Sequence, residues 1–244
     1  MSGPTGSFND TDLPGQQGRI AFSALAVERR PIARDELADI LWDEAPPSQW
    51  SGALAAIVSK IRSLITGTGL DGQVVMASVG GTYTLVLPSG SWVDWEIAIR
   101  RLDRAEGAAR HGDFAGALEE ATVASGILRR PMLVGVDCNW AARVRRRQTD
   151  ALYRCLVTLA AAWIELGDQQ LASTVAESAV QVDPLRELGH RLLVEAEAAR
   201  GDRAAALGAW SRCEQLMADE LGVEPSSETV ELGNRIRHGR TGSR

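Results

Sequence analysis

Polar side chains suited to binding phosphate groups cluster in the first third of the chain, mainly on the third predicted helix. Lys60 and Arg62 lie near the end of that helix, and their charges could neutralise phosphates or reach base edges. Ser48 at its start could hydrogen-bond to the same groups. The candidate nucleic-acid contacts are Arg19, Arg34, Ser48, Gln49, Ser51, Lys60 and Arg62. The ordinary alternative is solvent-facing charge on an amphipathic helix, with Ser48 serving only as the helix cap.

The acidic balance of the chain limits how tightly such a cluster would hold a phosphate backbone. The 244 residues carry a formal net charge of −6, and residues 1–92 contain six basic and nine acidic residues. Residues 73–92 contain no Lys or Arg. The arginines at 143–147 could also attract nucleic acid, but their spacing is more typical of a solvent-exposed helix face. Because a module that neutralises about two or three phosphates binds weakly, we expect nucleic-acid binding to need two copies acting together.

No other arrangement of residues in the sequence indicates catalysis or a bound cofactor. The three histidines stand singly, without a second ligand three or four residues away, so we expect no metal. Residues 67–72 spell GxGxxG, but they follow a predicted helix and precede a strand, the reverse of a nucleotide-binding order. The three cysteines are far apart and odd in number, which fits a reducing compartment. We expect a protein that is not an enzyme and needs no cofactor.

The sequence also lacks the signals of membrane insertion or export. No run of residues approaches the roughly 18 apolar positions that a membrane span needs. Residues 1–12 are small and polar rather than a basic segment followed by an apolar one. We therefore expect a soluble cytoplasmic protein.

Hydrophobic spacing predicts three helices and a hairpin after a flexible start at residues 1–12. The predicted helices cover residues 17–28, 35–42 and 48–65. From residue 74 to residue 87 the pattern alternates on both sides of Gly80-Gly81, which predicts a β-hairpin. Three helices followed by a hairpin is the order of a winged-helix domain, in which the third helix can enter the major groove. We predict this domain over residues 13–92.

A repeated Gly-Asp pair organises the rest of the chain, which reads almost entirely as helix. The pairs lie at residues 112–113, 167–168 and 201–202, with Ala117, Ala172 and Ala206 five residues after each glycine. A glycine can end one helix in the left-handed conformation, and a small residue then lets the next helix pack closely. We predict tetratricopeptide-like helical hairpins over 93–237 and a flexible tail over 238–244. The fold class is mainly α with one small β-hairpin.

Several short motifs from both parts of the chain point to one family. They include Val58-Ser59-Lys60-Ile61-Arg62, Gly80-Gly81-Thr82-Tyr83, Pro184-Leu185-Arg186-Glu187 and Glu220-Leu221-Gly222-Val223-Glu224-Pro225-Ser226. In these motifs the chain resembles the Streptomyces antibiotic regulatory protein type, which couples a response-regulator-like winged helix to a bacterial transcriptional activation domain. The resemblance covers residues 13–237 and is strongest after residue 184. It implies dimers that bind direct repeats in promoter DNA and contact RNA polymerase, with no metal or cofactor.

Two departures from the family pattern keep a second hypothesis open. About a dozen polar residues precede the first helix, where the family usually has a small β-meander. Ala55 and Ala56 stand where the family commonly places Arg, Gln or Asn. The first hypothesis is a DNA-binding transcriptional regulator, an activator that acts as a dimer. The alternative is a protein-interaction adaptor of the same fold that has lost direct DNA binding.

Overall fold

Apolar residues at helical spacing produce the three helices expected near the start of the chain. In the computed structural model, which describes residues 1–239, they are α1 (Gly15–Glu28), α2 (Arg34–Trp42) and α3 (Trp50–Gly67). Their inward faces pack on one another around completely buried side chains, which include Ile20, Leu25, Leu37, Leu54, Ile61 and Ile65. The three predicted helices are confirmed, with ends shifted by a few residues.

A three-stranded antiparallel sheet completes the winged helix. The central strand β3 (Thr82–Leu85) pairs with β1 (Ile32–Ala33) on one side and with β2 (Met76–Val79) on the other. Gly80 and Gly81 join β2 to β3 with φ angles of 58° and 78°, the conformation that a two-residue hairpin turn requires. The predicted hairpin is confirmed, whereas β1 is an addition to the predicted elements.

The residues before β2 form a helical turn where the sequence predicts strand. Helix α4 (Gly72–Val75) follows Asp71, whose side chain accepts hydrogen bonds from the N–H groups of Gln73 and Val74 at 2.8 and 3.2 Å. Such a cap satisfies the first donors of a helix, so the prediction of strand at 74–75 is wrong. Strand β3 also ends at Leu85 rather than at residue 87.

Residues 1–12 fold back on the helices through a short turn. Ser2 and Ser7 form an isolated β-bridge, and the Thr5 N–H donates to the Thr68 carbonyl at 3.1 Å. Phe8 is buried, and its ring packs edge-on against Phe22 with the centroids 5.4 Å apart. The flexibility expected for this segment stays a prediction.

Beyond β3 the chain is built mainly of helices. These helices are α5 (Asp94–Arg110), α6 (Phe114–Leu128), α7 (Asn139–Leu166), α8 (Gln169–Val182), α9 (Glu187–Ala199), α10 (Arg203–Leu221) and α11 (Ser227–Arg237). Together with α1 to α4 they make the fold mainly helical, as predicted.

The Gly-Asp pairs form the turns within the predicted hairpins. Gly112, Gly167 and Gly201 have φ angles of 78°, 85° and 83°, a left-handed conformation that ends a helix at little cost only for glycine. Each following aspartate accepts a hydrogen bond from the N–H three residues ahead, at 2.9, 3.0 and 2.9 Å, and so begins the next helix. The alanines after each pair are completely buried. The helical hairpins are therefore confirmed.

The chain divides into two compact units. The N-terminal unit contains Met1–Glu96 and Pro131–Arg146, and the C-terminal unit contains Ile97–Arg130 and the chain from Arg147 onward. Hydrogen bonds hold the segment 131–146 in the N-terminal unit. The Asn139 N–H donates to Asp43 at 2.8 Å, and the Trp140 indole N–H donates to Glu28 at 3.2 Å.

The sequence-based domains at 13–92 and 93–237 remain our proposal. The compact units differ from them because residues 1–12, 93–96 and 131–146 all belong to the N-terminal unit. Residues 240–244 of the predicted tail lie outside the described residues. Within residues 1–239, no helix is both long enough and apolar enough to span a membrane.

The last helix of the C-terminal unit packs on the one before it through a glycine. A Cβ atom at Gly233 on α11 would lie 2.1 Å from the indole Cε2 of Trp210 on α10. The same indole donates its N–H to the Thr229 carbonyl at 3.1 Å, and the Arg237 guanidinium lies 4.4 Å from the ring centroid. Because position 233 must leave room for the ring, its residue sets how closely α11 approaches α10.

We predict that Gly233→Ala lowers the free energy of unfolding by about 1–3 kcal/mol, since the methyl group forces the indole or α11 to move. The measurement is a chemical denaturation curve. The matched control is Gly126→Ala on α6, where a Cβ meets no atom within 4 Å. That change is expected to stabilise the protein by up to about 1 kcal/mol. Equal effects of the two substitutions would contradict the packing argument.

A carboxylate joins the start of α9 to the start of α11. Glu187 accepts hydrogen bonds from the Ser226 N–H at 2.9 Å, from the Ser226 hydroxyl at 2.7 Å and from the Thr229 hydroxyl. Burial alone would raise the pKa of Glu187, but these hydrogen bonds and the charge of Arg191 bring it below its ordinary value. The link connects the two motifs, 184–187 and 220–226, in which the family resemblance is strongest.

A lowered pKa in the folded state means that ionised Glu187 stabilises the protein at neutral pH. This stabilisation is lost as the pH falls through the folded-state pKa, which lies below the ordinary range of a glutamate. We therefore expect Glu187→Gln to lower the melting temperature at pH 7, with a difference from wild type that shrinks in acid. Glu224→Gln, on the exposed loop nearby, is the control. A difference that persists unchanged in acid would rule out this charge effect.

Candidate nucleic-acid interface

Helix α3 presents an outer surface of small side chains. Its inner face buries Leu54, Val58, Ile61 and Ile65. Its exposed positions include Gly52, Ala53, Ala55, Ala56, Ser59 and Ser63. The Ser63 hydroxyl donates to the Ser59 carbonyl at 3.1 Å and is therefore used within the helix. Few long polar side chains remain on this surface to reach a DNA duplex. Such a surface permits close approach of a duplex but offers few base contacts.

The beginning of α3 differs from the predicted one. The helix begins at Trp50, its N-cap is Gln49, and no side chain caps it. The prediction of Ser48 as the cap is therefore wrong. Ser48 and Gln49 are exposed in the turn before the helix. Among the described residues, no acceptor is recorded for the N–H groups of Ser51 and Gly52, so the first turn presents donors of the kind that bind phosphate oxygens.

Lys60 and Arg62 have different environments although they lie two positions apart. Lys60 is exposed and makes no recorded hydrogen bond or ion pair with any residue that the structure describes. Arg62 turns to the sheet, where Nε and Nη2 donate to the Met76 carbonyl at 2.9 and 2.7 Å. Its guanidinium therefore binds the start of β2, and only Lys60 of this pair is free to meet a phosphate.

Arg34 and Ser51 are brought together by the fold. The Arg34 Nη2 atom donates to the Ser51 hydroxyl at 2.9 Å, and the Arg34 N–H donates to the Gly81 carbonyl at 3.1 Å. Arg34 thus joins the start of α2, the first turn of α3 and the tip of the β2–β3 hairpin. Its Nε is buried without a hydrogen-bond partner among the described residues. That atom is out of reach of an external anion, but no hydrogen bond to a described residue is recorded for Nη1, so the guanidinium keeps donors with which to bind an anion.

The other cations of residues 1–92 are held by carboxylates or carbonyls. Arg19 pairs with Asp10 at 2.7 Å and donates to the Val134 carbonyl at 2.8 Å. Arg29 pairs with Glu96 at 3.1 Å. Arg30 binds Glu36, and this hydrogen-bonded contact lowers the pKa of that carboxyl. Arg19, which the sequence places among the candidate contacts, is thus already engaged within the N-terminal unit.

The β2–β3 hairpin, which is the wing of this domain, adds little to the positive surface of the N-terminal unit, whereas the segment 131–146 adds two exposed arginines. Val79, next to the hairpin tip, exposes 76% of its surface, so the tip is apolar rather than cationic. In the segment 131–146, Arg145 turns inward to the carbonyls of Leu133 and Val136 at 3.2 and 2.9 Å. Arg143 and Arg146 are exposed. Within residues 1–92, the candidate interface therefore consists of Arg34, Ser51, the first turn of α3 and Lys60.

The described residues contain no cluster of His, Cys, Asp and Glu that could hold a metal ion. Cys155 and Cys213 are buried, and burial raises the pKa of their thiols to about 12 and about 11. Thiols in this state stay protonated at neutral pH and are poor nucleophiles. These two cysteines therefore act as small core residues.

Residues 93–237 match the model of a family described as the bacterial transcriptional activator domain. Regulatory protein AfsR of Streptomyces coelicolor is 30% identical over 239 residues, which cover 96% of this chain and 23% of that protein. The transcriptional regulatory protein EmbR of Mycobacterium tuberculosis is 27% identical over 220 residues, which cover 89% of this chain and 56% of that protein. The chain thus spans about a quarter of the first relative and about half of the second.

A solved structure shares the fold. The structure of Mycobacterium tuberculosis EmbR in complex with a low-affinity phosphopeptide matches with a TM-score of 0.84 and 25% sequence identity. The match covers 94% of this chain and 61% of that chain. The likeness therefore extends over both compact units and is not confined to the helical array.

We predict that Arg62→Met lowers the free energy of unfolding by about 1–3 kcal/mol, because the Met76 carbonyl loses its charged donor. Lys60→Met is the matched control on the same helix, and we expect it to change stability by less than about 0.5 kcal/mol. Urea denaturation of both variants measures the difference. Equal stability of the two variants would show that the bond to Met76 does not hold the sheet on α3.

Proposed function

Because this chain belongs to the bacterial transcriptional activator domain family and is a regulator of the Streptomyces antibiotic regulatory protein type, we propose that it binds promoter DNA through its N-terminal unit. We further propose that it acts in the cytoplasm as a dimer on repeated sites and activates transcription by contacting RNA polymerase. The helical hairpins of the C-terminal unit would supply the protein contacts, since stacked hairpins build extended surfaces for partners.

The observation that carries this proposal is the position of Arg34 in the winged helix. Its guanidinium lies against Ser51 at the first turn of α3, and no hydrogen bond to a described residue is recorded for its Nη1. The N–H groups of Ser51 and Gly52 add two further donors at the positive end of the α3 dipole. A phosphate placed there would accept several hydrogen bonds at once.

Lys60 would supply the second phosphate contact of each N-terminal unit. It is the exposed cation on α3, and it lies about two and a half helical turns from Ser51, so the two contacts would bind different phosphates. Ser48 and Gln49, exposed before the helix, are the remaining candidates for base or phosphate contacts. Since each module neutralises so few phosphates, useful affinity requires two protomers on one duplex.

A second candidate function is the protein-interaction adaptor. It is favoured because most of the arginines in residues 1–92 bind groups of the protein itself. Arg19, Arg29, Arg30 and Arg62 are all engaged by groups of the N-terminal unit. The exposed face of α3 carries small side chains, and its only charged residue is Lys60. The exposed side chain of Val79 makes the tip of the β2–β3 hairpin apolar. A surface of this composition fits a protein partner as well as a phosphate backbone.

The deciding experiment is a fluorescence anisotropy titration with a labelled duplex from the region upstream of the protein's own gene. We expect binding that weakens steeply between about 50 and 200 mM salt. Lys60→Ala should weaken binding about five- to tenfold at low salt and lower the salt slope by about one unit per protomer. Arg34→Ala should act in the same direction, with circular dichroism as a check that the variant is folded.

Arg235→Ala on α11 is the matched control, because it removes one exposed charge from the C-terminal unit. It should leave the binding curve unchanged. If Arg235→Ala weakens binding as much as Lys60→Ala, the assigned surface is wrong. If the wild type binds no duplex at micromolar concentration and low salt, the adaptor function replaces DNA binding.

A further inference from the structure

The N-terminal unit contains an open cavity of about 580 Å³. Helix α1 contributes Phe22 and Ala26 to its wall, β3 and the residues after it contribute Leu85 and Leu87, and Leu70 contributes from the loop after α3. These residues make an apolar side of the cavity. The volume lies within the range of about 300–1,000 Å³ that is typical of small-molecule sites.

A defined turn places an aromatic ring beside this cavity. The Ser91 N–H donates to the Pro88 carbonyl at 3.1 Å, and Gly90 has a φ angle of 83°, so the chain turns sharply just before Trp92. Trp92 lines the cavity and still exposes 68% of its surface. Exposing a large aromatic side chain to water is costly, and a molecule in the cavity would cover part of this ring.

Polar groups form part of the cavity wall. Ser2 and Ser91 contribute hydroxyls, Asp94 contributes a carboxylate, and Met1, the residue that carries the N-terminal ammonium, also lines the cavity. Burial lowers the pKa of this ammonium, and the nearby charge of Asp94 opposes that shift. Asp94 uses Oδ1 to accept the Trp95 N–H at 2.8 Å, and no described residue is recorded as donating a hydrogen bond to its Oδ2. Because the two opposite charges offset each other, the site favours uncharged molecules that carry a hydrogen-bond donor over ions of either sign.

We propose that this cavity is a binding site for a small, uncharged, ring-containing molecule that packs on Trp92 and Phe22 and donates one N–H or O–H to Asp94. The site is separate from the surface of α3 and goes beyond the proposed DNA binding. An occupied cavity would join α1 to β3, the strand that pairs with the other two strands of the sheet. Binding should therefore stabilise the N-terminal unit.

The test uses N-phenyl-1-naphthylamine, an uncharged aromatic amine with one N–H donor, as the probe for the full chain. We expect saturable binding, with rising probe fluorescence and a shift of tryptophan emission to shorter wavelength as Trp92 is covered. In Ala26→Phe the new ring fills the cavity, and binding should weaken at least tenfold. Ala115→Phe, at an exposed position on α6, is the matched control and should bind like wild type.

Two further measurements separate this site from unspecific binding. Trp92→Phe should keep the rise in probe fluorescence while losing the shift of tryptophan emission. The anionic probe 1-anilinonaphthalene-8-sulfonate should bind at least tenfold more weakly than the uncharged one. The proposal is overturned if the wild type does not bind the uncharged probe, or if folded Ala26→Phe binds it as tightly as wild type. Equal binding of the two probes would overturn the assigned ligand class.

Discussion

The guanidinium groups of the N-terminal unit mostly bind the protein itself. Arg62 holds the start of β2 through the Met76 carbonyl, and Arg29 binds the Leu85 carbonyl at 3.0 Å at the end of β3. These bonds satisfy backbone acceptors that no neighbouring strand reaches, and they fix the sheet on the helices. A cation used in this way cannot neutralise a phosphate, so the position of the wing and the weakness of the positive surface have the same cause.

The turns of this protein could be predicted from the sequence because they need particular residue types. A left-handed backbone at Gly112, Gly167 or Gly201 strains any side chain, and the aspartate that follows each glycine has the short carboxylate that caps a helix. Gly80-Gly81 follows the same reasoning in the hairpin. In each case the conformation depends on two neighbouring residues, so the local sequence contains all the information that is needed.

The candidate site could be predicted only in part, because the direction of a long side chain depends on distant residues. Nothing in the sequence around Arg62 shows that the Met76 carbonyl will lie within its reach, whereas the side chain of Lys60, two residues earlier, is exposed to solvent. The pairing of Arg34 with Ser51 likewise depends on how α2 packs on α3. Strand β1 has two residues, too few for an alternating pattern, and its existence depends on β3 lying beside it.

The fit of α11 against Trp210 also determines how the C-terminal unit meets water. Leu232 and Ile236 of α11 belong to the same buried apolar cluster as Leu193 and Trp210. The opposite side of α11 carries exposed charged residues, which include Glu228, Glu231 and Arg235. An amphipathic helix in this position separates the apolar cluster from water. A shortened form that stopped after α10 would leave this cluster bare and would be expected to self-associate.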